Sequence, residues 1–334
     1  MKSNRKTRVM IKFVLYHIQM KVFHSLDSIG QINNPVLTIG TFDGVHLGHQ
    51  KILKKLVEQA KNINGESVLL TFYPHPRMVL YPENHGLQLI QTQEEKLASL
   101  EKTGLDNVVI LPFSKEFSRI SAWDFVRDIL INAFNIHTLV IGYDHQFGKN
   151  REGNINYLKD MSHSFDFNLV EISAKEINDV NISSTKIRKS LQNGKIEVAS
   201  SFLGRPFLIS GTVIKGDGLG KTIGYPTANI DINDDTKLIP DHGVYGVEVQ
   251  GLSGKHFGLM NIGIRPSIQK KENELRIEVY IFDMNDNIYG KRLKICLIKK
   301  IRSEMKFDSL DLLKKQITND EIAFRDYITE HTPC

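Results

Sequence analysis

The stretch from Val36 to Ala60 restricts the fold more than any other. Val36-Leu37-Thr38-Ile39 is an apolar, β-branched run that stops at the glycine-punctuated Gly40-Thr41-Phe42-Asp43-Gly44. Beyond it Ile52, Leu53, Leu56, Val57 and Ala60 recur at helical spacing, which predicts strand, tight turn and helix. His46 and His49 stand at i, i+3 where that helix begins. There they share the first turn with unpaired backbone N–H groups and the positive end of the helix dipole, a setting suited to phosphate. Gly44 and Gly48 keep side chains away from a ligand that approaches the backbone. Two histidines meeting by chance in an exposed turn would look the same, and a zinc pair is a further alternative. Zinc-binding helical histidines, however, usually stand at i, i+4 near a carboxylate, and no Cys or third His follows at ligand spacing.

The alternation of short apolar runs and helical segments continues to about Val180. Strands are predicted at Val36–Ile39, Ser67–Phe72, Asn107–Leu111, His137–Ile141 and Asn168–Ile172, and helices at Gln50–Asn62, Thr92–Thr103, Ala122–Phe134 and Tyr157–Ser162. This pattern implies an α/β doubly wound parallel sheet, whose ligands sit beyond the carboxyl ends of its strands. The second strand runs into Tyr73-Pro74-His75-Pro76, where two prolines fix the loop. The fourth runs into a glycine-rich loop, Gly142 to Gly153, that carries Asp144, Phe147, Lys149 and Arg151. Such a loop can meet both a ring and phosphates, although a plain solvated loop would read alike. Ile182-Ser183-Ser184-Thr185-Lys186-Ile187-Arg188 then opens a helix that ends near Gly194. Capping accounts for one of its three hydroxyls and for neither cation.

At Arg205-Pro206 the pattern changes to short β-rich runs: Phe207–Lys215, Thr227–Ile232, Val244–Gln250, His256–Ile262, Arg276–Phe282 and Leu293–Ile301. These predict a small antiparallel barrel, closed by a helix through Leu310, Leu313 and Ile317. Gly216-Asp217-Gly218-Leu219-Gly220-Lys221-Thr222 comes close to a P-loop, but its spacing is one residue short, and Gly224 and Pro226 would break the helix that must follow. It reads as a glycine flap or, more plainly, a hairpin loop. Thr227 and Asn229 offer a hydroxyl and an amide carbonyl, oxygen donors of the kind a hard cation takes. Glu278 alternates with Ile277, Val279 and Ile281, and in a small barrel either face could be the ligand's.

A chain of 334 residues is long enough for two domains, and its net charge of +5 is spread without a basic block, so it suits anionic small molecules as well as RNA. Cys296 and Cys334 are too few for a disulfide scaffold, and a reducing cytoplasm fits. Met1 to Gln19 is basic, with an apolar patch interrupted by Lys12 and His17, too short to span a membrane and lacking a small-residue cleavage site. It is expected to be a disordered extension outside the fold, with Met20 as an alternative start.

Gly40-Thr41-Phe42-Asp43-Gly44-Val45-His46-Leu47-Gly48-His49 resembles the signature of the HxGH nucleotidyltransferases, and its form is most similar to that of the bacterial bifunctional riboflavin kinase/FAD synthetases. Further segments resemble the same family in the expected order: the TFxPHP segment at Thr71–Pro76, the GxxFxFGxxRxG loop with His145 where an aromatic is commoner, and ISSTxIR at Ile182–Arg188. The PTAN motif at Pro226–Asn229, NIGxRPT at Asn261–Ser267 with Ser for Thr, and RxExKF at Arg302–Phe307 follow. The resemblance covers Met20 to Asp320. It implies an FMN adenylyltransferase domain over residues 20–190, a linker helix region over 191–206 and a riboflavin kinase domain over 207–334.

It also implies two reactions, riboflavin + ATP to FMN + ADP in the barrel and FMN + ATP to FAD + pyrophosphate in the sheet domain. Catalysis would fall to His46, His49, Ser184, Thr185 and Arg188 in the second, and to Glu278 as general base in the first. ATP would be held by Gly40, Phe42, Asp43 and Gly48 in one site, and by Gly216, Gly220, Lys221, Thr227 and Asn229 in the other. Flavin would meet Pro74, His75, Asp144, Phe147, Arg151 and Arg302. Thr227 and Asn229 would place Mg²⁺, with ATP as co-substrate and FMN and FAD as products rather than prosthetic groups. The expected partners are riboflavin, FMN and ATP, with transient contact to apo-flavoproteins; membranes and nucleic acid are not expected. Two alternatives stand beside this one, a riboflavin kinase with a silent first domain and a flavin-sensing RNA-binding regulator.

Overall fold

The computed structural model describes residues 19–83, 86–143, 145–173, 182–216, 218–265 and 274–331. Met1 to Ile18, Asp144, Ser267 and Cys334 lie outside them.

The first sheet contains β1 Lys21–Phe23, β2 Val36–Ile39, β3 Ser67–Tyr73, β4 Asn107–Pro112, β5 Thr138–Gly142 and β6 Asn168–Ile172. Their order is β1-β4-β3-β2-β5-β6, and every neighbouring pair is parallel. The edge strand β1 was not among the strands expected; at three residues it is too short to show a period. Side chains alternate between the two faces. Val36, Leu69, Val108 and Val140 pack with Leu53 and Leu56 of α1 (Leu47–Asn62). Leu37, Leu70, Val109 and Ile141 pack on the other side with Phe125, Ile129 and Leu158. Helices thus cover both faces, as a doubly wound sheet requires. The unit also contains α2 Pro76–Leu80, α3 Gln93–Glu101, α4 Ala122–Asp124, which continues as a π-helix over Phe125–Ala133, and α5 Ile155–Phe165.

From β2 the chain steps outward to β3 and β4, then returns to place β5 on the other side of β2, so the order reverses there. β2 is paired with β3 along all of Val36–Ile39 but with β5 only at Val36 and Leu37. The sheet therefore opens between the carboxyl ends of β2 and β5, which is where ligands of such folds bind.

Helices α6 Ser184–Gln192 and α7 Ile196–Leu203 lead into six antiparallel strands: β7 Phe207–Ile214, β8 Thr227–Asp231, β9 Gly243–Gln250, β10 His256–Arg265, β11 Glu274–Ile281 and β12 Arg292–Arg302. They close a barrel in the order β10-β11-β8-β7-β12-β9. Ile209, Val247, Met260, Ile277, Val279 and Ile295 fill its interior. Glu278 and Tyr280, on the alternate positions of β11, therefore lie on the outer wall. Over that wall runs α9, Leu310–His331, with Phe324 fully buried against Val244, Leu259 and Phe282. The short α8, Leu219–Thr222, occupies the glycine flap, so the long helix of a P-loop does not form. Ile187 and Leu191 of α6, and Ala199 and Leu203 of α7, belong to the same packed cluster as the barrel interior. Among the described residues no helix is long and apolar enough to cross a membrane.

Candidate active sites

The first site forms where β2 ends. His46 caps α1, its Nδ1 accepting the N–H of His49 at 3.3 Å, and the two imidazoles stack with centroids 3.6 Å apart. Gly48 permits this approach, since a Cβ there would lie 3.2 Å from the His46 ring. Phe42 backs His49 at 4.7 Å from within the core. Burial pushes the His46 pKa down to about 4 and that of His49 well below its ordinary value, with the nearby cations acting in the same direction. Both rings are therefore neutral near pH 7 and serve as hydrogen-bonding groups rather than charges. His49 Nδ1 is buried without a hydrogen-bond partner among the described residues.

Asp43 organises the far wall. Its carboxylate accepts the N–H of Ile90 at 3.0 Å, the N–H of Gln91 at 3.3 Å and the Arg188 guanidinium at 2.6 Å. Arg188 Nε also donates to Gln88 O at 2.9 Å, and the Ser184 hydroxyl donates to Asp43 O at 3.0 Å. The α6 motif is thus joined to the histidine motif. Ser183, not Ser184, caps the helix, through Lys186 N, while Thr185 is exposed. His75 caps α2 by accepting the N–H of Arg77, and burial lowers its pKa to about 4, with Asp43, Arg188 and Lys96 close enough to act on it.

Two cations of this site were not singled out by sequence. Lys96 is buried and donates to Thr41 O at 3.0 Å and Thr71 Oγ1 at 2.9 Å, so it ties the loop after β2 to β3. Burial brings its pKa down to about 8. Arg205 donates to Gly44 O at 2.7 Å and Val45 O at 3.1 Å. Val45 is β-branched yet sits at φ +38°, and Arg205, with Gln50 on the same carbonyl at 2.9 Å, holds that strained turn.

The other predicted residues are distributed less evenly. Gly40 N donates to Leu70 O at the sheet edge of the crevice. Pro74 follows a cis peptide bond and is exposed. Phe147 is buried among Phe125 and Tyr157, so its ring belongs to the core rather than to the crevice surface; His145 stacks on it at 5.9 Å. Arg151 is exposed at φ +61°, and Asp144 lies outside the described residues.

The second site lies on the barrel's outer wall. A cavity of about 340 Å³ is lined by Gly220, Thr227, Asn229, Asn261, Glu278, Tyr280 and Arg302 together with apolar residues of α9. Strand register sets Asn229, Glu278 and Asn261 side by side in one row across β8, β11 and β10. The Thr227 hydroxyl is 3.4 Å from Glu278 Oε2. Gly216 makes room for the Asn229 amide, since a side chain there would overlap it. Arg302 is held by Asp320 at 2.9 Å, and Asp320 in turn by Gln316 at 2.8 Å. The Tyr225 hydroxyl meets Thr318 Oγ1 at 2.7 Å and joins the flap to α9. Lys221 is exposed and lines a neighbouring cavity of about 540 Å³ rather than this one.

The same division into two units appears in comparisons with known proteins. A family model for FAD synthetase matches residues 29–186 and one for riboflavin kinase matches residues 203–328. The bifunctional riboflavin kinase/FMN adenylyltransferase of Buchnera aphidicola (from Acyrthosiphon pisum) is 38% identical over 314 residues, covering 93% of this chain and 99% of that protein. The protein of that name from Escherichia coli K12 is 36% identical over 311 residues, covering 92% and 98%. Among solved structures, a macrolide-efflux protein from Streptococcus pneumoniae superposes with a TM-score of 0.83 at 32% identity, over 92% of this chain and 99% of that one. The two family models, together with the near-complete match to relatives more than 30% identical, show the family: this chain belongs to the bifunctional riboflavin kinase/FMN adenylyltransferases.

Proposed function

We propose that the two sites described above carry the family's two reactions, riboflavin to FMN on the barrel and FMN to FAD at the opening of the sheet. The observation that supports this most is the pair of separate polar constellations in one chain, His46/His49 at the switch point and Thr227/Asn229/Glu278 beside the barrel cavity.

In the kinase step the flavin ring system enters between the outer wall and α9, and Arg302 and Tyr280 contribute to its seat. Glu278 takes the proton of the 5′-hydroxyl as its oxygen bonds to the γ-phosphorus and the bond to ADP breaks. The residues present fit Mg²⁺: Thr227, Asn229 and Glu278 offer hard oxygen donors in one place. Thr227 and Asn229 would hold it, and when bound with ATP it would supply charge neutralisation at the phosphates.

In the second step an FMN phosphate oxygen attacks the α-phosphorus of ATP and pyrophosphate leaves, so the protein need supply no base. His46 and His49, both neutral, hydrogen-bond the reacting phosphates. Lys96, Arg205 and Arg188 provide fixed positive charge around them, and His75 and Pro74 border the flavin. The enzyme would work in the cytoplasm, where Cys296, its thiol pushed up to about 11 by burial, stays reduced, and FAD would pass to apo-flavoproteins.

Chromatography of products from riboflavin and, separately, from FMN, each with ATP and Mg²⁺, tests the proposal. FMN then FAD is expected in the first tube and FAD in the second. Kinase product alone would make the first domain silent, and no turnover of either flavin would favour the regulator.

A further inference from the structure

We propose that Lys237, a residue of the barrel unit, is a positioning residue for adenylyl transfer in the other unit: it fixes the Ile90–Gln91 peptide whose N–H side holds Asp43. This rests on the assignment of FAD formation to the His46/His49 site.

Lys237 is fully buried, and its ammonium uses three acceptors. It donates to Ile90 O at 2.8 Å, to Leu208 O at 2.7 Å and to Glu95 Oε2 at 2.5 Å. Three donors meet three acceptors, so the group is saturated. Glu95 is equally buried and accepts, besides Lys237, the N–H of Thr92 at 3.1 Å in a capping box and the N–H of Ser210 of β7 at 2.8 Å. Leu89 adds two backbone bonds, donating to Thr236 O and accepting from Leu238 N, both at 2.7 Å. Residues 89–95 are therefore clamped to the barrel.

The opposite side of the same segment faces the transferase site. The carbonyl of Ile90 and the N–H of Gln91 belong to one peptide unit; Lys237 binds the first, and Asp43 accepts the second. A cation on a carbonyl polarises its peptide and strengthens the bond its N–H donates. Ile90 N donates to the same carboxylate. Asp43 then holds Arg188, and Arg188 holds Gln88 O, which closes the circuit. A buried ion pair is weak evidence for stability, since an apolar pair packs at least as well. What the charge holds, rather than packing, explains it.

The test uses the full chain carrying Glu95→Gln with Lys237→Met, which removes both charges and leaves no buried ion unpaired. Neither residue touches the kinase cavity, so FMN formation from riboflavin is the internal control for folding. The expected result is a fall of about tenfold or more in kcat for FAD formation from supplied FMN, with the kinase kcat and the KM for riboflavin unchanged. A merely structural role would move both activities together. A ratio of the two activities equal to the wild-type ratio, whether both persist or both decline, overturns the proposal. Wild-type protein that makes no FAD from FMN would instead overturn the assignment of function, and the role of Lys237 with it.

Discussion

Arg188 places a guanidinium nitrogen 2.6 Å from the Asp43 carboxylate, joining residues 145 apart in the chain, while its Nε donates to Gln88 O. Two differently directed donors on one planar group do this, and an ammonium cannot reproduce them. Arg188→Lys is expected to lower kcat/KM for FAD formation by about tenfold or more, the loss of one charge-assisted bond, and to leave riboflavin phosphorylation unchanged. Steady-state rates of the two reactions on one preparation check this.

The stacked histidines set a pH dependence. Burial lowers the folded-state pKa of His46 from 6.5 to about 4, so between those values the unfolded chain binds more protons than the folded one. Stability therefore rises with pH across that window and is lost as pH falls from 6.5 toward 4; His49, shifted the same way, adds to the slope. Thermal midpoints measured from pH 7 downward should decline through this range, and less steeply in His46→Gln.

Lys96 acts at the other end of the scale. Its pKa is about 8, lowered by burial, so its charge fades as pH rises through that value. FAD formation should fall above about pH 8, and Lys96→Met should be slower near neutrality and lack that limb, with kinase activity unaffected. A pH–rate profile of FAD formation from FMN decides it.

Glu278 stands on the barrel's outer wall between Asn229 and Asn261. Glu278→Gln keeps the shape and removes the carboxylate proposed as general base, so FMN formation is expected to drop by about 10²- to 10⁴-fold. FAD formation from supplied FMN should stay at the wild-type rate.

Much of this was legible in the sequence because its signals are local. The strand, turn and helix around His46 and the six barrel strands follow from hydrophobic period and turn residues, and observed ends shift by only a few residues. What was not legible depends on contacts distant in sequence. Glu95 and Lys96 read as ordinary charges in the first turn of a capped helix, yet one is buried against Lys237 and the other beneath Thr41. Nothing in the pattern around Lys237 or Arg205 announces a partner more than a hundred residues away. Which face of β11 turns outward was likewise not legible, because the alternation of Glu278 with Ile277 and Val279 does not say which side the barrel interior fills. Phe147 shows the reverse case: an aromatic in a motif loop whose ring is used by the core.

The most direct test of two separate sites in one chain is the product distribution of His49→Ala given riboflavin, ATP and Mg²⁺. His49 lies in the crevice of the sheet and takes no part in the barrel cavity. The expected result is FMN accumulating at the wild-type rate with no FAD. Loss of FMN formation in folded protein, or undiminished FAD, would contradict it.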